Sequence, residues 1–496
     1  MKAVVVGAGI GGLAAAIALS RIGWEVEVVE RDDTPMPDDV EGAFDWDRRG
    51  APQVRHTHGF PALIRVTLRD RYPDVLQALR DAGVGELSIL PPTVTPGWPD
   101  YERHAEDLQV LCCRRTTLEW VLRRCALAEL GVQLRVGVGV AGLIVHGRGV
   151  PADVRGVVLD DGTELRADAV VASTGRRCAV PEWFGAHGVD IAEEEMSTGT
   201  MYLSRFYRSA AGAEVPMGYV GGRRAGLGFV VAGADHGTYS ATLAVPTDDA
   251  ELRSHLLDED RFEAVLPLFR EMEPVVRSGG TPITPVQVMG GLVNRIRRFV
   301  DADGAPLAHG FFAIGDSHTC TNPLYGRGSS LAVLQATLVA DALQANPGDA
   351  DAAARTYERE SQAKVEPWYD VSVLTDLAAM PQPDSERAKP SEPDAARTEK
   401  ADEPTGPAPP RLDMATLRRI AGAGDPELSL VVARLMSLLL TPQEVFGDPA
   451  VLERLAAAAA TERPRDPSKP PRPPLTRDDL LAAGAGSGWS DQPSAR

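Results

Sequence analysis

The first thirty residues constrain this chain more than any other stretch. Val4-Val5-Val6 is a β-branched run, followed by Gly7-Ala8-Gly9-Ile10-Gly11-Gly12, an apolar helical segment from Leu13 to Ile22, and Val26-Glu27-Val28-Val29 ending at Glu30. Strand, glycine turn, helix, strand and acid, in that order, spell a βαβ dinucleotide-binding unit. Gly7 permits the tight turn, Gly9 leaves room for backbone to approach a pyrophosphate, and Gly12 lets the helix lie close to the strand. Phosphates would meet the free N–H groups and positive end of that helix. Glu30, about twenty residues downstream, would accept hydrogen bonds from a ribose 2′-OH. A second match, Gly137-Val138-Gly139-Val140-Ala141-Gly142, runs into Leu143-Ile144-Val145-His146, which alternates like a strand and opens no helix. It predicts a strand with a turn. Lys2 and the apolar run after it are cut by four glycines, which argues against a secretory signal.

At 496 residues the chain has room for two or three domains. A net charge of −19 argues against a nucleic-acid surface, which needs a basic face. Cys112, Cys113, Cys125, Cys178 and Cys320 form no C-x-x-C pair and suit a reducing cytoplasm. No metal site is implied. The apolar segment Leu428 to Leu440 is interrupted by Arg434 and falls short of the ~20 residues a membrane span requires. A soluble, cytoplasmic protein is expected.

Along the chain, Pro61 to Ala82 and Leu111 to Leu130 carry helical spacing. His56 and His58 would share one face of a strand, but with no third ligand nearby they suit polar contacts to a cofactor or substrate better than a metal. Gly156 to Leu159, the turn Asp160-Asp161-Gly162 and Glu164 to Arg166 read as a hairpin. Ala169-Val170-Val171-Ala172, followed by Ser173-Thr174-Gly175-Arg176, reads as a strand buried in a parallel sheet. Thr198 to Arg208, Gly226 to Val231 and Thr238 to Val245 suggest an antiparallel sheet, with a helical stretch from Ala250 to Val276 beside it. Tyr202, Arg205, Tyr207 and Phe229 could line a pocket there, though ordinary sheet positions suit them better.

A second informative block runs from Gly310 to Ser330. An apolar strand ends in Gly315-Asp316, a loop carries Asn322-Pro323-Leu324-Tyr325-Gly326-Arg327-Gly328, and a helix follows with Leu331, Leu334 and Leu338 on one face. The carboxylate can take hydrogen bonds from ligand hydroxyls, and the helix end favours an anion. Asp316, Ser317 and His318 are sequence neighbours, unlike a hydrolase triad, whose members converge from separate elements.

With these blocks in order, together with Pro52 to His58 and Arg115-Thr116-Thr117-Leu118-Glu119, the chain resembles the FAD-dependent monooxygenases of the aromatic-hydroxylase and squalene-epoxidase fold. Within that group it is most similar to polyether-polyketide epoxidases of the monensin and lasalocid type, over roughly residues 3 to 375. The resemblance implies an α/β protein: a Rossmann-like FAD-binding domain, an inserted antiparallel-sheet substrate domain and a C-terminal helical region. FAD-binding segments are expected at 1–80, 105–185 and 291–378, substrate-domain segments at 81–104 and 186–290, a disordered linker at 379–411, and helices with a Pro-rich tail at 412–496. Gly7, Gly9, Gly12, Glu30 and Arg31 would hold the adenosine and pyrophosphate. Asp316 would bind the ribityl chain, Gly326 to Gly328 would sit by the pyrimidine end of the ring, and Arg115, Gly315 and Pro323 would also contact the FAD. The implied activity inserts one oxygen atom from O2 into a hydrophobic small molecule through a flavin hydroperoxide. The flavin carries the chemistry, so no catalytic side chain is singled out.

The resemblance also departs from pattern. Single-component hydroxylases carry Asp-Gly and a later Asn where this chain has Ser173-Thr174-Gly175 and Ser329-Ser330, so NADPH or NADH would donate electrons directly or through a separate flavin reductase. The Trp-x-Trp-x-Ile-Pro signature of flavin halogenases is absent from the sequence. Two other activities fit the same glycine blocks: a reductase of the geranylgeranyl-reductase type, and a non-catalytic escort that has lost its flavin.

Overall fold

Lys2–Val6 and Ala169–Ala172 are apolar on both faces, so each needs cover above and below. They obtain it at the centre of a five-stranded parallel sheet whose order is Phe311–Ala313, Ala169–Ala172, Lys2–Val6, Glu25–Glu30, Val132–Val136. This computed structural model describes residues 1–147, 149–210, 219–272, 279–380, 416–417, 420, 424–460 and 475–484. From Lys2–Val6 the chain adds two strands on one side, then crosses to add two on the other. The direction therefore reverses between Lys2–Val6 and Ala169–Ala172, and the crevice beyond their carboxyl ends is where such sheets hold ligands.

One face of the sheet is covered by the helices Ile10–Arg21, Arg115–Ala128 and Gly328–Ala345, through Leu13, Ile17, Leu118, Val333 and Ala336. The other face packs on Val140–His146 and Ala152–Leu159, with Phe184, Phe299 and Phe311 in mutual ring contact. The turn at Gly137, with φ +75°, separates Val132–Val136 from Val140–His146. The second G-x-G-x-x-G stretch accordingly lies in strand and turn.

A six-stranded antiparallel sheet forms the second unit, built on Thr200–Arg208 paired with Thr238–Pro246 from Thr200↔Pro246 to Arg208↔Thr238. Strand alternation sends Leu203, Tyr207, Phe229 and Leu243 to a core with the helices Ala250–Leu256 and Glu259–Val265. Tyr202, Ala244 and Met289 face the other way, where Leu324 packs on them. Residues 85–88 pair with Gln109–Cys112 in a separate ribbon.

The helices Pro426–Met436, Pro442–Phe446 and Pro449–Ala460 share a core with Leu331, Val365 and Trp368, on the parallel-sheet unit rather than on the antiparallel sheet. The short helix Arg477–Ala482 crosses to the second unit. Leu480 is fully buried in its core, and Arg477 Nε donates to Asp249 at 2.7 Å. The linker expected from 379 lies, from 381 onward, outside the described residues, as does the Pro-rich stretch 462–474. Among the described residues no helix is long and apolar enough to cross a membrane.

Candidate functional site

Both glycine loops open on one cavity of about 430 Å³. Its walls include Gly7, Gly9, Glu30 and Arg31 from the first block, Arg115 from the helix, and Gly315, Asp316, Pro323, Gly326 and Gly328 from the second. Gly12 stands behind the wall. A Cβ there would lie 1.9 Å from the Gly7 carbonyl oxygen, so only glycine lets the helix approach this closely. Gly7 itself has φ +102°, and a Cβ on it would meet the Ser173 carbonyl oxygen at 2.3 Å. Around Gly9 the space is open to 4 Å, and Gly9 caps the helix Ile10–Arg21 without a side-chain bond. The first turn of that helix therefore meets the cavity at Gly9 and Gly11, an arrangement that suits a phosphate.

Glu30 ends its strand nearly buried. Its oxygens accept from Ala8 N at 2.8 Å and Asp32 N at 2.9 Å, and Arg48 Nη2 stands 3.5 Å away. A carboxylate has about four acceptor positions, so one is left for a ribose hydroxyl. From Glu30 a polar chain runs along the cleft: Arg48 Nη1 donates to Glu119 at 3.0 Å, Arg115 Nε donates to Glu119 at 2.8 Å, and Arg115 Nη1 lies 3.4 Å from His58 Nε2. Arg48 and Glu119 are nearly or fully buried, so each needs the other. Sequence reasoning gave neither a role. One arginine among many has no distinguishing spacing, and the partners come from four separate segments.

Asp316 occupies a single 3-10 turn after the strand Phe311–Ala313. Its carboxylate makes no hydrogen bond among the described residues and faces the cavity beside Gly328, the first residue of the helix Gly328–Ala345. Enclosure pushes its pKa above the usual carboxylate value, against the pull of Arg115, Arg176, Arg297 and Arg295. An orphan acceptor beside a helix N-terminus fits a polyhydroxyl ligand with an anionic end. Ser317 Oγ accepts from Thr174 N at 2.8 Å, joining the two strand-end loops, while His318 Nδ1 bonds Thr319. Ser317 and His318 thus do structural work.

Across the cavity lies a cluster of hydroxyls and imidazoles. His56 Nδ1 shares a hydrogen bond with Ser204 Oγ at 2.8 Å. Ser204 bonds Thr242 at 2.6 Å, and Thr57 reaches both Thr242 and Ser240 at 2.8 Å. His56 lines the cavity and is depressed to about 4 by burial and then by Arg176, so it is uncharged near neutral pH. His58 is depressed to about 3, by burial first and Arg115 next. No group of His, Cys, Asp and Glu among the described residues is arranged to hold a metal ion. Of the four sheet residues considered as lining, Arg205 and Tyr207 bond Glu263 and Phe229 sits in the far core. Only Tyr202 turns towards the cleft, donating to Asn322 Oδ1. The serine and threonine cluster has no local signature, because such residues are common in strands and only the register Ser204↔Thr242 brings them together.

The model of the NAD(P)-binding Rossmann-like domain matches residues 5–81. Protein Rv3254 of Mycobacterium tuberculosis is 28% identical over 381 residues, covering 69% of this chain and 73% of that one. Among solved structures, PqsL from Pseudomonas aeruginosa, described as a probable FAD-dependent monooxygenase, is similar with a TM-score of 0.56 at 16% identity. The match covers 76% of this chain and 96% of PqsL. The flavin-dependent brominase Bmp2 is similar with a TM-score of 0.55 at 16% identity, over 76% of this chain and 88% of that one. The chain has a Rossmann-like α/β fold with a helical C-terminal region, and that fold is shared with flavin-dependent monooxygenases.

Proposed function

We propose that this chain is an FAD-dependent monooxygenase that inserts one oxygen atom from O2 into a hydrophobic small molecule, by epoxidation of an alkene or by hydroxylation. What supports the reading most is the convergence of two glycine loops, 300 residues apart in order of magnitude, on one cleft that also holds the unpartnered Asp316 carboxylate. When bound, FAD supplies the redox chemistry, with electrons from NADPH or NADH directly or through a separate flavin reductase.

The chain's own residues then have distinct tasks. First-turn N–H groups after Gly9 hold pyrophosphate, and Glu30 with Arg31 holds the adenosine side. Arg115, Gly315 and Asp316 serve the ribityl chain. Pro323, Gly326 and Gly328 bring the positive end of the following helix to the pyrimidine edge of the ring. His56, neutral and backed by Ser204, offers a ring nitrogen to a substrate hydroxyl or carbonyl, while Met289 adds apolar wall. The antiparallel sheet excludes water from above. Likeness to polyether-polyketide epoxidases favours an alkene substrate and a place in secondary metabolism. Five cysteines, none of them in a disulfide, favour the cytoplasm.

The test is to load the purified chain with FAD, reduce it, and mix it with ¹⁸O-labelled dioxygen and a panel of alkenes and phenols. The expected outcome is a product carrying one labelled atom. Saturation of an alkene without O2 uptake would instead assign a reductase, and a colourless protein that takes up no FAD would leave an escort.

A further inference from the structure

The loop 322–328, which carries Pro323, Gly326 and Gly328 to the cleft, is held from behind by one face of the helix Pro367–Ala379. We infer that Asp376 is the positioning residue for this loop and thereby sets the redox balance of a flavin bound in the cleft; the inference rests on the function proposed above.

Asp376 is 1% exposed and ionised carboxylates accept hydrogen bonds only. It receives Asn294 Nδ2 at 2.7 Å, Asn322 Nδ2 at 2.9 and 3.1 Å, and Tyr325 OH at 2.7 Å. An acceptor-only partner decides which way both amides point. The amide oxygens are left to face away from it: Asn294 Oδ1 accepts from Asn322 N at 2.7 Å, and Asn322 Oδ1 accepts from Leu324 N at 3.0 Å and from Tyr202 OH. Both asparagines are fully buried, so a flipped amide would leave a donor or acceptor without water or protein to satisfy it.

One turn earlier on the same helix face, Ser372 Oγ accepts from Arg327 Nη1 at 2.5 Å, and the guanidinium lies over the Tyr325 ring at 4.6 Å and the Trp368 ring at 5.2 Å. Trp368, Ser372 and Asp376 are spaced i, i+4, i+8 and so form one stripe. On its other side the loop meets Gly59, whose carbonyl oxygen is 3.0 Å from where a Gly326 Cβ would be. The loop is thus clamped, and with it the N-terminus of the helix Gly328–Ala345. That positive end is the group able to favour the extra negative charge of reduced flavin.

Asp376→Asn separates positioning from simple charge, because the two predict opposite signs. Removing a negative charge alone would make a nearby flavin easier to reduce and raise its midpoint potential. Loosening the loop weakens binding of the reduced form more than the oxidised form and lowers the potential. A tenfold differential loss corresponds to about 30 mV for two electrons. Spectroelectrochemical titration of FAD-loaded wild type, D376N, Asn322→Ala and the double variant is the measurement. The expected result is a lowered potential in D376N, the same direction in N322A, and a double variant no lower than the larger single, since Asp376 acts through Asn322. If D376N does not fold, N322A alone must show the lowered potential. An unmoved or raised potential in the variants, with a flavin-loaded wild type, overturns the inference alone. A wild type that retains no FAD overturns the proposed function and this inference with it.

Discussion

His56 carries its meaning in a single ring. Buried against Ser204 and within reach of the Arg176 charge, it is held near a pKa of about 4, whereas an unfolded histidine titrates near 6.5. Between those values the unfolded chain binds a proton that the folded chain refuses. Stability therefore falls as pH drops from about 6.5 towards 4 and is indifferent to this group above 7. His56→Gln should remove that part of the acid sensitivity: wild type and variant should differ in pH slope only inside that window, as followed by denaturant unfolding at a series of pH values. A flat difference across the window would mean the imidazole is not shielded. The same neutrality predicts that a substrate group at His56 meets an uncharged nitrogen.

Elements are where pattern and packing can be weighed against each other, and Gly12 is the sharpest case. Alanine inside a helix gains about 1 kcal/mol over glycine on propensity alone, yet here its Cβ would overlap a backbone carbonyl at 1.9 Å. Backbone cannot swing aside, so Gly12→Ala should destabilise the flavin-free chain, by roughly 2–3 kcal/mol. Gly9→Ala, with open space around it, should leave flavin-free stability unchanged and weaken FAD binding; thermal unfolding beside fluorescence titration reads both. The glycine fingerprint, the alternation of the antiparallel strands and the strand that ends before Gly315 were all legible from sequence, because each depends on neighbours a few residues apart. The Glu30–Arg48–Glu119–Arg115 chain and the Asp376 hub were not. Links such as Arg48–Glu119 and Asn322–Asp376 join residues tens of positions apart, and nothing local marks a buried partner from a surface one.

At the scale of the whole molecule, the cleft draws walls from both sheets' units, and the C-terminal segment spans them, with Trp368 and Val432 in one core and Leu480 in another. A ligand that fills the cleft couples these parts. FAD at a hundred times its dissociation constant should stabilise the folded chain by about 2.7 kcal/mol, seen as one shifted thermal transition by calorimetry. A shift confined to an early, separate transition would mean that only the parallel-sheet unit engages the nucleotide.

The order of strands in the central sheet also has a consequence for birth of the molecule. Its outermost strand, Phe311–Ala313, comes last and pairs with Ala169–Ala172, which must wait for it. At 5–20 residues per second, a ribosome needs roughly 15–60 s to reach that strand. In the later part of that interval, once Ala169–Ala172 is made, the nascent polypeptide has its first glycine turn without its second, and a half-made sheet with an open margin is the species a chaperone would meet.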